Sequence, residues 1–190
     1  TADYTIIKAG GKDNTAPKVT ALKMNTTGTL KKNMATEINV TTKESGSGIQ
    51  YIAMISVTDD WENEEMLVFE ADGMEKYTGT RTLTLKSDSL SLNYRGSGKY
   101  YVYAVMLQDY AGNTAEYYID DKGTYLVSEQ YVQNEDGSAD EVIQKIKTVR
   151  YNVCNGHVYR DFVTKATTSA NGSIVKKCKY CDAVKSGSKT

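Results

Sequence analysis

All three cysteines and the only histidine of this chain lie between Cys154 and Cys181. They form two pairs, Cys154-Asn155-Gly156-His157 and Cys178-Lys179-Tyr180-Cys181. Each pair has two residues between its outer members. A tight turn of that length lets both side chains reach one ion at about 2.0–2.3 Å, so two such knuckles suit a tetrahedral zinc site. Gly156 and the small Asn155 fit the turn of the first knuckle. The set Cys154, His157, Cys178 and Cys181 supplies four protein ligands and leaves no open position, which makes the expected site structural rather than catalytic. Disulfide chemistry competes: two cysteines pair and one stays free, or Cys178 joins Cys181. That scheme handles an odd cysteine count poorly and leaves His157 without a role. A segment of this size cannot bury enough core to fold alone, so a staple of some kind is expected.

The remaining chemistry is sparse. With one His spoken for, no nucleophile, base and orienting group assemble, so the chain is read as non-catalytic. The acidic loop Asp59-Asp60-Trp61-Glu62-Asn63-Glu64-Glu65 offers oxygens for calcium, with Asp59, Asp60 and Glu62 as candidate ligands, although its spacing matches no EF-hand loop. Trp61 in the same loop is a candidate ligand-binding residue, because an aromatic face can stack on a sugar ring. The competing expectation is that Trp61 folds back as a lid on the core.

These residues need elements to hold them. Tyr outnumbers Phe fifteen to two, and the chain has a single Pro, Pro17. Tyr and Thr suit a pleated, half-solvated surface. Strand-like runs recur between turn signals: Val19 to Met24, Thr36 to Thr42, Ile49 to Val57, Met66 to Ala71, Arg81 to Leu85, Lys99 to Gln108, Thr114 to Ile119 and Tyr125 to Val127. Val19 and Ala21 are expected on one face of the first, Leu22 and Met24 on the other. The run Lys99 to Gln108 is the most strand-like in the chain. This spacing predicts an all-β sandwich over 14–128. Residues 1–13 read as the tail of a preceding module or an edge strand. Residues 129–149, polar and acidic over 129–141, read as a linker holding either a short helix over 142–146 or a strand through Val149-Arg150-Tyr151. Residues 150–190 read as a small zinc-ribbon-like hairpin with Asn171-Gly172 as its turn. The formal net charge of −1 shows no basic excess for a nucleic acid, and no apolar run is long enough to span a membrane.

Three turns in order, Asn14-Thr15-Ala16-Pro17, Ser45-Gly46-Ser47-Gly48-Ile49 and Asp109-Tyr110-Ala111-Gly112-Asn113, resemble those of bacterial Ig-like domains from secreted and surface proteins. The stretch Cys154 to Val184 is similar to a small Cys₃His repeat of gut Firmicutes surface proteins, with Asp182 where that repeat often has Gly. Asp tolerates the left-handed conformation such a position requires. The resemblance implies an Ig-like sandwich and a metal-stapled connector cut from a larger exported, extracellular or cell-wall protein of a Gram-positive bacterium. Such a pair would work in adhesion, ligand presentation or spacing, beside neighbouring domains and a host or cell-wall glycan or protein. The alternative is a carbohydrate-binding accessory module of a glycan-degrading enzyme.

Overall fold

The computed structural model describes residues 13–72, 77–88, 92, 95–133 and 139–188. The expectation for 1–13 therefore lies outside the described residues, except for Asp13. Much of the loop-or-helix stretch between Ser87 and Gly98 lies outside them too.

Among the described residues the protein is all β, as the strand spacing predicted. A three-stranded sheet joins β1 (Lys18–Met24), β3 (Glu37–Glu44) and β6 (Gly79–Lys86) in the order β1-β3-β6. The large sheet is built around β7 (Gly98–Asp109). One edge of β7 pairs along its length with β4 (Ile49–Thr58), which in turn carries β5 (Glu64–Glu70). Its other edge is shared: residues 98–101 pair with β11 (Arg150–Cys154), and residues 104–108 pair with β8 (Thr114–Ile119). Beyond β8 lie β9 (Tyr125–Gln133) and β10 (Ala139–Lys147), and beyond β11 lies the short β2 (Thr29–Lys31), parallel to it. The split of β1, β3 and β6 against β5, β4, β7 and β8 is the partition of an Ig-type sandwich.

The inner faces of the two sheets make the core. Ile38 and Val40 of β3 and Leu83 and Leu85 of β6 meet Ile52 and Met54 of β4 and Val102, Val105 and Leu107 of β7. Burying each such side chain stabilises the fold by about 1.5–3 kcal/mol. Tyr117 of β8 is fully buried and crosses between the sheets. Its hydroxyl accepts the Val19 N–H at 3.0 Å and donates to Gln144 Oε1 at 2.6 Å. The Val19 N–H is available because β1 bulges between Val19 and Ala21. The bulge also corrects the expected alternation. Val19, Leu22 and Met24 all pack on the core, while Ala21 is exposed, because one extra residue flips the face of everything after it.

The stretch read as a linker is structured. Strands β9 and β10 pair in continuous register from Tyr125↔Lys147 to Gln133↔Ala139, and Leu126 and Ile146 enter the core. The 142–146 segment is thus strand, and β11 belongs to the sandwich rather than to a separate module beginning at 150. Its polar composition hid a period-two pattern: Val142, Gln144 and Ile146 turn inward and Glu141, Ile143, Lys145 and Lys147 outward.

Candidate metal centre

The hairpin β12 (Tyr159–Thr164) with β13 (Ser173–Cys178) stands apart from both sheets. Every residue of β12 is exposed, and Phe162, Val163 and Ile174 present apolar surface to solvent. A two-stranded ribbon without a core is marginal by itself. Its turn is not Asn171-Gly172, as expected, but the tip between Thr167 and Ala170, where the Thr167 N–H donates to the Ala170 carbonyl at 2.8 Å. Gly172 instead lies against the opposite strand: a Cβ there would sit 2.9 Å from the Thr164 carbonyl oxygen. Glycine is needed for that close approach rather than for the turn.

At the open end of the ribbon the four expected ligands converge. One ligand atom each from Cys154, His157, Cys178 and Cys181 lies within 4.8 Å of all the others. Cys154 Sγ is 3.7 Å from Cys178 Sγ and 3.4 Å from His157 Nδ1, and Cys181 Sγ is 3.3 Å from the same Nδ1. No two of the three cysteines are joined by a disulfide. The cluster could hold a metal ion, with Nδ1 as the histidine ligand.

The local backbone explains the convergence. Cys154 ends β11 and is buried; Cys178 ends β13 and is buried. After Cys178 the chain turns: the Tyr180 N–H points at Cys178 Sγ at 3.5 Å, and the Asp182 N–H reaches the Cys178 carbonyl at 3.2 Å. Asp182 closes this knuckle at φ 57°, the left-handed conformation expected of it. The Lys179 N–H donates to the Val158 carbonyl at 2.8 Å, laying the second knuckle on the first.

The thiols do not hold their protons equally. Burial first, then hydrogen bonds to Cys181 and Cys178, push the Cys154 thiol up to about 12. Burial opposes ionisation of Cys178 as well. There it is outweighed by hydrogen bonds from the Tyr180 backbone, His157 and the backbones of Cys181 and Val158, which bring that thiol down to about 6.

Four hydrogen bonds that fasten the knuckles to residues outside the motif were not foreseen. The Asn155 N–H donates to Ser97 Oγ at 2.8 Å, Asn155 Nδ2 to the Arg95 carbonyl at 2.6 Å, and Ser97 Oγ to the Gly156 carbonyl at 3.1 Å. Thr29 Oγ1 of β2 donates to the Tyr180 carbonyl at 3.1 Å. Behind them Arg95 and Glu65 form a buried ion pair at 3.3 Å, each side chain 1% exposed. Arg95 also donates to Thr36 Oγ1 and to the carbonyls of Lys31 and Met34, while Glu65 Oε2 accepts from Thr36 and Tyr151 at 2.8 Å each. The signal for Glu65 was present: it shares parity with Leu67, whereas Met66 and Val68 face outward. Arg95, in a loop, carried no comparable signal.

The acidic loop does not assemble the expected calcium ligands. Asp59 pairs with Arg150 at 3.1 Å, and Asp60 Oδ1 accepts from Thr58 Oγ1 at 2.5 Å and from the Glu62 N–H at 3.3 Å. The carboxylates of Asp59, Asp60 and Glu62 do not converge on a common point. Each satisfies a local partner or solvent, which is how an acidic turn after a strand normally behaves. Trp61 is not a lid. It is 59% exposed at φ 60°, with its ring edge-on to Tyr103 at 4.9 Å and to Tyr101 at 6.5 Å. Tyr118 continues this aromatic row on the outer face of the large sheet, 6.1 Å from Tyr103.

No helix among the described residues is long and apolar enough to cross a membrane. The fold and site define an all-β protein whose sandwich carries a Cys₃His cluster at one end. Comparison of the chain with models of known protein families, with curated proteins and with solved structures finds no match.

Proposed function

We propose that this is a non-catalytic extracellular module pair of a larger bacterial surface or secreted protein, serving adhesion, ligand presentation or spacing, in which a structural zinc ion locks the hairpin onto the sandwich. The observation that carries this reading is the origin of the four ligands. Cys154 is the last residue of a sandwich strand, Cys178 and Cys181 belong to the hairpin end, and His157 lies between them. An ion there ties two structural units together and offers no coordination position to a substrate. Tetrahedral zinc with bonds of about 2.3 Å to sulfur and about 2.0–2.1 Å to nitrogen places its ligands roughly 3.8 Å (S to S) and 3.5 Å (S to N) apart. The separations of 3.7, 3.4 and 3.3 Å lie close to those edges. The soft thiolate set favours zinc over magnesium or calcium.

Elemental analysis of protein purified without added metal, with thiols counted alongside, tests this. One zinc per chain with three reduced thiols is the expected result. Metal-free protein with two thiols oxidised would overturn it.

A second reading, a carbohydrate-binding accessory module, is favoured by the aromatic row. An exposed Trp held by Tyr103 beside a hollow of about 330 Å³, lined by Ile55, Val57, Glu62 and Glu64, is a stacking surface for a sugar ring. On this reading Trp61→Ala weakens binding on a glycan array by at least about tenfold and leaves the melting temperature unchanged, since the ring is mostly in solvent. Binding to a surface protein that is indifferent to Trp61 and to competing sugars favours adhesion instead.

A further inference from the structure

At the far end of β7, on the order of 35 Å along the strand from the Cys₃His cluster, the three turns singled out in the sequence come together. Asp13 precedes β1, Glu44 ends β3 and Asp109 ends β7. One carboxylate oxygen of each lies within 4.8 Å of the other two. Glu44 is 2% exposed and Asp109 0%. The turns are stitched together: the Tyr110 N–H donates to the Gly48 carbonyl at 3.0 Å and the Ala111 N–H to Ser47 Oγ at 3.0 Å. Asp13 lies close over Gly46: a Cβ there would overlap its carboxylate, which would have to swing away.

The oxygens of this cluster can be accounted for one by one. Asp13 Oδ1 accepts from the Thr15 N–H at 3.1 Å and its Oδ2 from the Ser47 N–H at 2.7 Å. Asp109 accepts from the Asn113 N–H and Nδ2, both at 2.8 Å, and Asn113 Nδ2 also reaches the Asp13 carbonyl at 3.1 Å. Glu44 Oε1 accepts from the Gly46 N–H at 2.6 Å. That leaves Glu44 Oε2 buried with no partner. Among the described residues no Lys, Arg or His pairs with any of the three carboxylates. Burial, together with the Asp13 and Asp109 charges, holds the Glu44 carboxyl above its ordinary range against the Gly46 N–H and a weaker pull from the Gly48 N–H, which lies too far for a hydrogen bond to Oε2.

A buried, unpaired acidic oxygen facing two further carboxylates calls for a positive charge. We propose that Asp13, Glu44 and Asp109 form a calcium site that clamps the chain entering β1 onto the β3 and β7 ends of the sandwich. The donors are all hard oxygens, which suits calcium, and carboxylates, backbone carbonyls and water together make up the six to eight ligands it takes. Each donor comes from a different segment, so the ion would close the entry end of the sandwich just as the Cys₃His cluster closes the other.

The test uses the full chain with its thiol cluster loaded with zinc, passed over a chelating resin and titrated with calcium chloride by calorimetry. Melting curves are recorded with and without millimolar calcium. The expected result is one calcium per chain, a higher melting temperature with calcium, and affinity reduced by about tenfold or more in Glu44→Gln. In calcium-free buffer Glu44→Gln melts at or above the wild type, because removing one of three like charges relieves repulsion. Should Glu44→Gln not fold, Asp13→Asn, at a half-exposed position, must show the same loss of affinity. No heat and no shift in the wild type, or equal calcium responses in wild type and variants, would overturn the proposal. So would a melting temperature indifferent to calcium that rises on acidification, which would mean that a proton on Glu44 fills the role.

Discussion

Cys181→Ala, or chelation of the zinc proposed for the Cys₃His cluster, will free the hairpin while leaving the sandwich folded. Cys181 is the most suitable of the three cysteines for this, because Cys154 and Cys178 are buried and their loss would also disturb packing. The expected signature is loss of hydrogen-exchange protection across β12 and β13 by about 10³-fold or more, since structural zinc contributes roughly 10–16 kcal/mol of binding free energy and the ribbon has no core to replace it. New proteolytic cuts should fall between residues 158 and 177. The sandwich loses only tethers such as Thr29 Oγ1 to the Tyr180 carbonyl, each contributing about 1 kcal/mol, so its melting temperature should drop by a few degrees. Equal protection with and without metal would show that the hairpin is held by its hydrogen bonds alone. Acid should act like the chelator. The metal-free Cys154 thiol sits at about 12, so holding it as thiolate at neutral pH means expelling its proton. Falling pH returns that proton, so metal affinity and the stability it confers decline with it.

Arg95→Ala is expected to destabilise the sandwich by about 3–5 kcal/mol, because it strands the buried Glu65 carboxylate. For a domain of this size that is a fall in melting temperature of roughly 6–20 °C. The loss reaches further than one ion pair. Arg95 donates to the Lys31 and Met34 carbonyls, holding the loop after β2, and its own carbonyl receives Asn155 of the first knuckle. The variant should therefore also loosen metal binding, although Arg95 is no ligand. Tyr151→Phe removes the hydroxyl that donates to Glu65, keeps the ring stacked on Tyr100 at 5.4 Å, and should cost only about 1–2 kcal/mol. Combining Arg95→Met with Glu65→Gln should recover much of the single-variant loss, since the penalty arises from an uncompensated charge rather than from a missing attraction. Denaturant melts of the four proteins separate these cases. If Arg95→Ala melts with the wild type, the pair contributes nothing to stability.

Legibility in the sequence followed the range of the interaction. The core strands announced themselves: Ile49 to Val57 and Lys99 to Gln108 are apolar runs of the kind that lie at the centre of a sheet, and they became β4 and β7. Where one local rule overrode another, the reading slipped. The bulge at Val19 inverted the face of every later residue in β1. The polar, acidic character of 129–141 masked the alternation that makes β10 a strand. Asn171-Gly172 has turn chemistry, yet the turn formed at Thr167 to Ala170, because Gly172 was needed where two backbones approach.

The sequence by itself determined the all-β character and the four-residue Cys₃His set. Both depend on short-range patterns: period-two alternation along a strand, and two-residue spacing within a knuckle. Only the tertiary structure decided that β11 belongs to the sandwich, so that the Cys₃His cluster is joined to it, and that Arg95 and Glu65 meet in the interior. It alone brought Asp13, Glu44 and Asp109, far apart along the chain, to one end of the sheet, and it turned Trp61 outward. Each of those outcomes depends on which strand lies beside which. That is settled by how two sheets best bury their inner faces, a collective condition that no local stretch of residues encodes.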